Sequence, residues 1–253
     1  MKAFTNSVDL NMLITTTLLL VATGSFILYW FVANSERIKS RFYQKYPFDD
    51  ASRKHIFFTK YFGCVVLGII PLLIYLLAFP NTSIRDVGLW INPATTLFSL
   101  GWTLGLSILV IPMAYFSAKK PENLKNYPQI RAKQWTQKTF LINLLGWSLY
   151  LFGYELLFRG VLFFPLIKTL GIWPAIAINL ALYATTHIPK GLAETLGAIP
   201  LGLVLCLLTL ESETVWIAFF VHVALAWTNS LTALAHHPEI QFKWKFFDTH
   251  GAK

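Results

Sequence analysis

The chain has 253 residues, 55% of them apolar and only 13% charged, with a formal net charge of +9. A soluble domain carries about 25% charged residues, so the deficit, together with repeated apolar runs of about 20 residues, excludes an ordinary soluble domain and indicates a polytopic membrane protein. The basic residues are confined to short loops between the apolar runs, which makes them topology determinants and gives no reason to expect nucleic acid as a partner.

Lys2 is followed by an apolar run at 10–32. That run is longer than the roughly 7–15 residues of a signal-peptide core and is read as a retained first span. Further spans are predicted at 56–79, 96–116, 139–167, 171–188, 192–210 and 215–234, giving about seven transmembrane helices and an all-α polytopic fold. Trp30, Trp90, Trp102, Trp173 and Trp216 fall near span ends, where amphipathic rings favour the interface. Cys64 and Cys206 lie inside spans and are read as small packing residues, with no CxxC site or disulfide framework.

The loops 35–55 and 117–138 hold six Lys/Arg each and contain Pro47, Pro121 and Pro128, so they are expected to be irregular or interfacial. Lys190, Lys243, Lys245 and Lys253 fall on the same face, while the opposite face has Lys2, Arg85, Arg159 and Lys168 together with Glu211 and Glu213. The positive-inside rule therefore puts the basic loops and the C-terminus in the cytoplasm and the N-terminus outside, in a multi-pass plasma (inner) membrane protein. Three regions are expected: packing spans with basic loops at 1–138, a core at 139–235, and a basic tail at 236–253. The division follows the polar residues, because spans one to three carry little besides Lys60, near a span end, whereas the last four carry Glu155, Arg159, His187, Glu194 and His222.

The stretch Tyr154-Glu155-Leu156-Leu157-Phe158-Arg159-Gly160 places a carboxylate and a guanidinium one helical turn apart inside an apolar run. Charges at bilayer depth are costly and are normally paired and turned toward a cavity or the bundle interior. Glu155 and Arg159 can satisfy each other at i,i+4 spacing, either as a packing ion pair alone or as the anchor of a site. Gly160 permits close helix approach at the same level. His187 closes Tyr183-Ala184-Thr185-Thr186-His187 and precedes Pro189 and Lys190. Taken alone it reads as a hydrogen-bonded residue near a span end. Glu194 would return to the same face on a continuous helix, but Pro189 can break that continuity; its other reading is a solvated residue at the start of the sixth span. His222 lies in mid-span, with Asn229 on nearly the same face, and a mid-span histidine points to function. His236 and His237 follow the last span and read as interfacial.

Together these give a carboxylate, a guanidinium and two imidazoles on three spans. The carboxylate can act as general base toward water, and imidazoles can polarise that water or donate to an oxyanion. Glu155, His187 and His222 could equally form the first shell of a divalent metal such as zinc, with water in the open position. Spacing does not separate the two, although the helix-borne HExxH pair is absent. A proton or ion carrier using Glu155 and His222 as relay sites is a third reading.

These residues resemble the CAAX-processing and bacteriocin-processing (CPBP) family of intramembrane proteases, as a divergent bacterial member. The family's EExxxR motif, continuing as FRG, is matched by Tyr154 to Gly160. Its FxxxH motif is matched by Tyr183 to His187, and its HxxxN motif begins at His222. The resemblance covers about 139–234 and implies a core of the last four spans that hydrolyses a peptide bond of a membrane-associated peptide or protein. By position, Glu155 is the second glutamate of the first motif, Arg159 its arginine, and His187 and His222 the two histidines. The resemblance makes all four catalytic, with Tyr154, Glu194 and Asn229 supporting, and the water activated by glutamate and histidine or on a metal. Two positions depart from the pattern. The first glutamate is Tyr154, whose ordinary pKa of about 10 makes it a poor base, and the asparagine is Ala226, with Asn229 one turn further along. The alternative is thus a catalytically silent immunity or interaction protein that keeps the fold.

Overall fold

The computed structural model describes residues 9–243, so Lys2, Lys245 and Lys253 of the expected charge pattern lie outside the described residues. Helix α1 (Leu10–Ala33) is followed by α2 (Glu36–Lys45) and α3 (Phe48–Gly63), which a π-helical stretch, Cys64–Ile69, joins to α4 (Ile70–Ala78). Two 3-10 turns, Ile84–Val87 and Pro93–Thr95, lead to α5 (Thr96–Ala118) and the short α6 (Pro121–Asn126). Strand β1 (Gln134–Trp135) precedes α7 (Gln137–Glu155), which passes through a second π-helical stretch, Leu156–Leu162, into α8 (Phe163–Leu170). Then come α9 (Ile172–Thr185), a 3-10 turn at Ile188–Lys190, α10 (Leu192–Ser212), α11 (Trp216–His236) and β2 (Gln241–Phe242).

Among the described residues six helical stretches are long and apolar enough to cross a membrane: Leu10–Ala33, Phe48–Ala78, Pro93–Ala118, Gln137–Leu170, Glu194–Ser212 and Trp216–His236. The chain is a multi-pass, all-α membrane protein, and both cysteines are free and buried. The span predicted at 171–188 corresponds to α9, which has 14 residues. At 1.5 Å per residue that is about 21 Å, short of the roughly 30 Å hydrocarbon core. The 35–55 loop also differs from expectation, being largely helical. Ser35 caps α2 by accepting from the Ile38 amide, and Asp49 and Asp50 sit in the first turn of α3, where carboxylates complement the helix dipole. Lys60 therefore lies well inside a helical stretch that begins at Phe48, and is buried.

The chain divides into two compact units. The first comprises the described residues up to Leu28, Val65–Thr103 and Phe152–Phe220. In it the ends of α8 and α10 gather on the segment between α4 and α5. Lys168 pairs with Asp86, Thr95 Oγ1 donates to Ser212 O at 2.8 Å, Val215 N donates to Gly88 O at 3.1 Å, and Trp216 Nε1 donates to Trp90 O at 2.8 Å. With both ends on one side, α9 must run away from that side and α10 must return to it. The second unit comprises Tyr29–Cys64, Leu104–Leu151 and the described residues from Val221 onward. Its core includes Ile130, Ala132, Trp135 and Leu234, and its two strands pair in parallel with Gln134 opposite Gln241. Trp227 Nε1 donates to Leu144 O at 3.1 Å, and Ser230 Oγ to Asn143 Oδ1 at 3.2 Å, tying α11 to α7 there.

Candidate active site

Gly171 is the hinge of a helical hairpin. Its φ of +86° lies in the left-handed region that favours glycine, and nothing occupies the space where a Cβ would sit. The stretch Leu156–Leu162 with α8 forms one arm and α9 the other, at similar length, so residues about equally far from Gly171 face each other. Tyr154 and Phe158 pack on Tyr183 with ring centroids 5.8 and 5.7 Å apart. The Tyr154 hydroxyl is 2.7 Å from Thr186 Oγ1. Confining each span to about 20 residues would put Glu155 and His187 at opposite depths. The short α9 removes that conflict, because it climbs only as far as the first arm does.

The arm before Gly171, continued back into the last turn of α7, carries the two charges. Glu155 and Arg159 are both 0% exposed, with Arg159 Nε 3.5 Å from Glu155 Oε2. The guanidinium carbon lies 4.1 Å from the centre of the Tyr183 ring, so the cation has a carboxylate one turn back and an aromatic face across the hairpin. Arg159 and Gly160 fall inside the π-helical stretch, a wider turn that recurs at functional sites. Asn179, fully buried in α9, donates from Nδ2 to the Phe158 carbonyl, and its Oδ1 is 3.4 Å from Cys206 Sγ on α10. One amide thus pins the wide turn to two other helices. Gly160 does permit a close approach, although the partner is a 3-10 turn instead of a span: a Cβ there would sit 2.9 Å from the Val87 carbonyl oxygen. On α10, Gly202 leaves room for Tyr183, whose Cδ1 would be 3.1 Å from an added Cβ.

At the far end of α9 the helix stops at Thr185, and the His187 amide turns to Ala184 O instead of Tyr183 O. The Tyr183 carbonyl is accordingly one of the terminal acceptors a helix leaves for side chains to satisfy. Thr186 Oγ1 donates to it at 2.7 Å, and His187 Nδ1 is 2.9 Å from it and 3.2 Å from Thr186 Oγ1. His187 is buried, and its ring lies 4.8 Å from that of Tyr183. Motifs one and two of the sequence are therefore side by side, joined through Tyr154, Thr186 and Tyr183.

The other expected residues are placed differently. Pro189 and Gly191 (φ +104°) separate His187 from Glu194, which lies half-buried in the first turn of α10 and pairs with the exposed Lys190 at 3.6 Å. The phenol of Tyr154 stands where the motif has a carboxylate and is 3% exposed. His222 and Asn229 belong to the second unit, on α11. His222 is buried, and Asn229 Oδ1 accepts from Asn123 Nδ2 of α6 at 2.6 Å. Among the described residues no group of three or more His, Cys, Asp or Glu side chains is placed to hold a metal ion.

Residues 135–228 match the model of a protein family described as type II CAAX prenyl endopeptidase Rce1-like. That region, which is less than half of the chain, is similar to Rce1-like endopeptidases of the CPBP family. No curated protein and no solved structure matches it. The CPBP match spans the hairpin, α10 and most of α11, and so includes Tyr154, Glu155, Arg159, His187 and His222. Two residues of the site, Asn179 and Thr186, were given no role by the sequence. The signal for Asn179 was present, as it is the one amide in the apolar run 172–182, and polar groups at that depth are kept for a purpose.

Proposed function

We propose that the chain is an intramembrane endopeptidase that hydrolyses a peptide bond of a membrane-anchored substrate. The observation that carries this reading is the pairing of motif one with motif two across the Gly171 hairpin. A buried carboxylate with its own counter-cation lies on one arm, and a buried imidazole lies at the end of the other. In this reading Glu155 removes a proton from a water that His187 orients, and the hydroxide oxygen adds to the scissile carbonyl carbon. The C–N bond then breaks, and the proton held by Glu155 passes to the departing amine nitrogen. Arg159 holds Glu155 in place. The family description favours a prenylated C-terminal segment as substrate; the location proposed is the plasma membrane, and the basic loops favour an orientation with those loops in the cytoplasm.

The test uses proteoliposomes containing the full chain and a quenched fluorescent peptide with a farnesylated cysteine followed by three residues. A second peptide, anchored by an acyl chain, separates prenyl recognition from general membrane tethering. The wild type should release the C-terminal fragment, and Glu155→Gln should abolish release. Full activity of Glu155→Gln would remove the role given to Glu155, and no cleavage of either peptide by the wild type would remove the reading.

A second reading, a catalytically silent immunity or interaction protein, is favoured by one observation: position 154 holds a phenol and position 226 an alanine, where the motifs have Glu and Asn. In that case Glu155→Gln and His187→Ala would preserve a cellular phenotype that depends on the chain. Loss of the phenotype in variants that fold normally would count against it.

A further inference from the structure

We infer that Tyr154 and Thr186 are positioning residues that fix the tautomer of His187. They hold the proton on Nδ1 and leave Nε2 as the nitrogen that accepts a hydrogen bond from the reacting water. The inference rests on the peptidase reading and supplies what the first-motif substitution otherwise leaves unexplained, namely what a tyrosine does at position 154.

The argument is a proton count. The Tyr183 carbonyl can only accept, and two side-chain groups converge on it: Thr186 Oγ1 at 2.7 Å and His187 Nδ1 at 2.9 Å. Both must therefore donate. Thr186 has a single hydroxyl proton, and it is committed to Tyr183 O, so toward its other neighbours Oγ1 is an acceptor. Tyr154, 2.7 Å away, must then be the donor of that contact. The 3.2 Å approach of His187 Nδ1 to the same oxygen fits an N–H shared between Tyr183 O and Thr186 Oγ1. Every proton in the chain from Tyr154 to His187 has one consistent place, and that place puts hydrogen on Nδ1. A neutral imidazole with Nδ1–H presents its lone pair at Nε2, the form needed to accept from water.

The same geometry explains why a phenol can stand where the motif has an acid. A carboxylate at this depth would be a second negative charge beside Glu155, next to a single guanidinium. The phenol is neutral, packs its ring against Phe158 at 4.7 Å and Tyr183 at 5.8 Å, and delivers one directed hydrogen bond. It acts on the reaction through Thr186 and His187 and has no need to touch the substrate.

Four variants and one spectrum test this. Tyr154→Phe keeps the ring packing and removes only the donor. It should lower kcat roughly fivefold to tenfold, about the rate equivalent of one neutral hydrogen bond, with KM within about twofold of wild type. Thr186→Val should lower kcat further, and Thr186→Ser, which retains the hydroxyl, should restore it. The spectrum is the 15N signal of His187 in protein labelled at histidine. Neutral His187 should carry its proton on Nδ1 in the wild type and in the Glu155→Gln variant, and should shift toward the Nε2–H form in Thr186→Val. An Nε2–H tautomer in the wild type overturns the inference, as does an unchanged kcat in both Tyr154→Phe and Thr186→Val. A wild type that cleaves neither peptide overturns the peptidase reading instead, and the spectrum still decides the tautomer.

Discussion

In the first unit Arg159 is buried one helical turn from Glu155, with its guanidinium over the face of Tyr183. In the second unit the ammonium of Lys60 is buried 3.1 Å from the centre of the Trp147 ring and 4.4 Å from that of Tyr150. Both cations sit inside apolar helices, and the difference lies in what faces them. A cation over aromatic quadrupoles is stabilised by side chains that have no proton to move near neutral pH. A cation beside a carboxylate holds a group that can do chemistry, at the cost of burying two charges. The first arrangement suits a scaffold and the second suits a site.

The largest effect should come from breaking the first unit's pair. Arg159→Met leaves the Glu155 carboxylate buried without its counter-cation, which should destabilise the protein by about 3–5 kcal/mol. Thermal unfolding in detergent micelles would show it, and the double variant Glu155→Gln, Arg159→Met should recover most of the loss, because no charge is then left uncompensated. If the double variant is as unstable as the single one, the pair is not the source of the cost.

Two smaller losses, each about 1–3 kcal/mol, should come from the residues that shape the wide turn around Arg159. Asn179→Leu removes the amide that serves the Phe158 carbonyl and leaves a buried acceptor without that donor. Gly160→Ala forces a methyl to within 2.9 Å of the Val87 oxygen and of Leu156 Cδ1, and backbone must move to admit it. Both should reduce peptide cleavage by more than their effect on unfolding explains, since each displaces Arg159. Lys60→Met should be milder, within about 1 kcal/mol of wild type, because methionine keeps the apolar stem against the same rings and removes a buried charge. Its cleavage rate should be unchanged. A Lys60→Met variant that folds normally and cleaves nothing would show that the second unit's cation is needed for the reaction and is more than scaffold.

The pair at Glu155 and Arg159 was legible in the sequence because charge inside an apolar run admits few explanations, and i,i+4 spacing names the partner. The helical character of the spans was legible for the same reason, from long apolar runs. What was not legible is instructive. A π-turn adds one residue to a helical turn and leaves no mark in composition, so the turn that carries Arg159 was invisible. Thr186 carries no role in the sequence pattern, because an uncharged hydroxyl in an apolar span has no periodic signature. The length of α9 was misjudged by reading hydropathy across Thr186–Ile188, although Gly171 and Pro189 already bracketed a short helix. Hydropathy places Lys60 near a span end because the charged first turn of α3 hides how early that helix begins. Asn229 was read for its face on α11, and hydropathy gave no hint that α6 would supply Asn123 as its partner.

The smallest effect separates the units by pH. In the second unit, β2 is held to β1 by Gln241 N donating to Lys133 O and Lys243 N to Trp135 O, both at 2.8 Å. Beside this clasp His237 Nε2 lies 2.7 Å from Arg131 Nη1, where the imidazole must accept, since guanidinium only donates. Burial, and then the Arg131 charge, hold the His237 pKa below its ordinary value of 6.5, with Glu239 opposing them. The folded state thus prefers neutral His237. Its contribution is complete above about pH 6.5, where the unfolded histidine is also neutral, and is lost as pH falls through the lower folded value, because the unfolded chain binds the proton first. Hydrogen-exchange protection of the Gln241 and Lys243 amides, corrected for intrinsic rates, should therefore fall between about pH 7.5 and 5. In His237→Gln, which can still accept from Arg131 through its amide oxygen, protection should stay level over that range. A wild-type clasp that is equally protected at both ends of the range would mean that the tail is held by its strand pairing and core contacts alone, with Arg131 and His237 as bystanders.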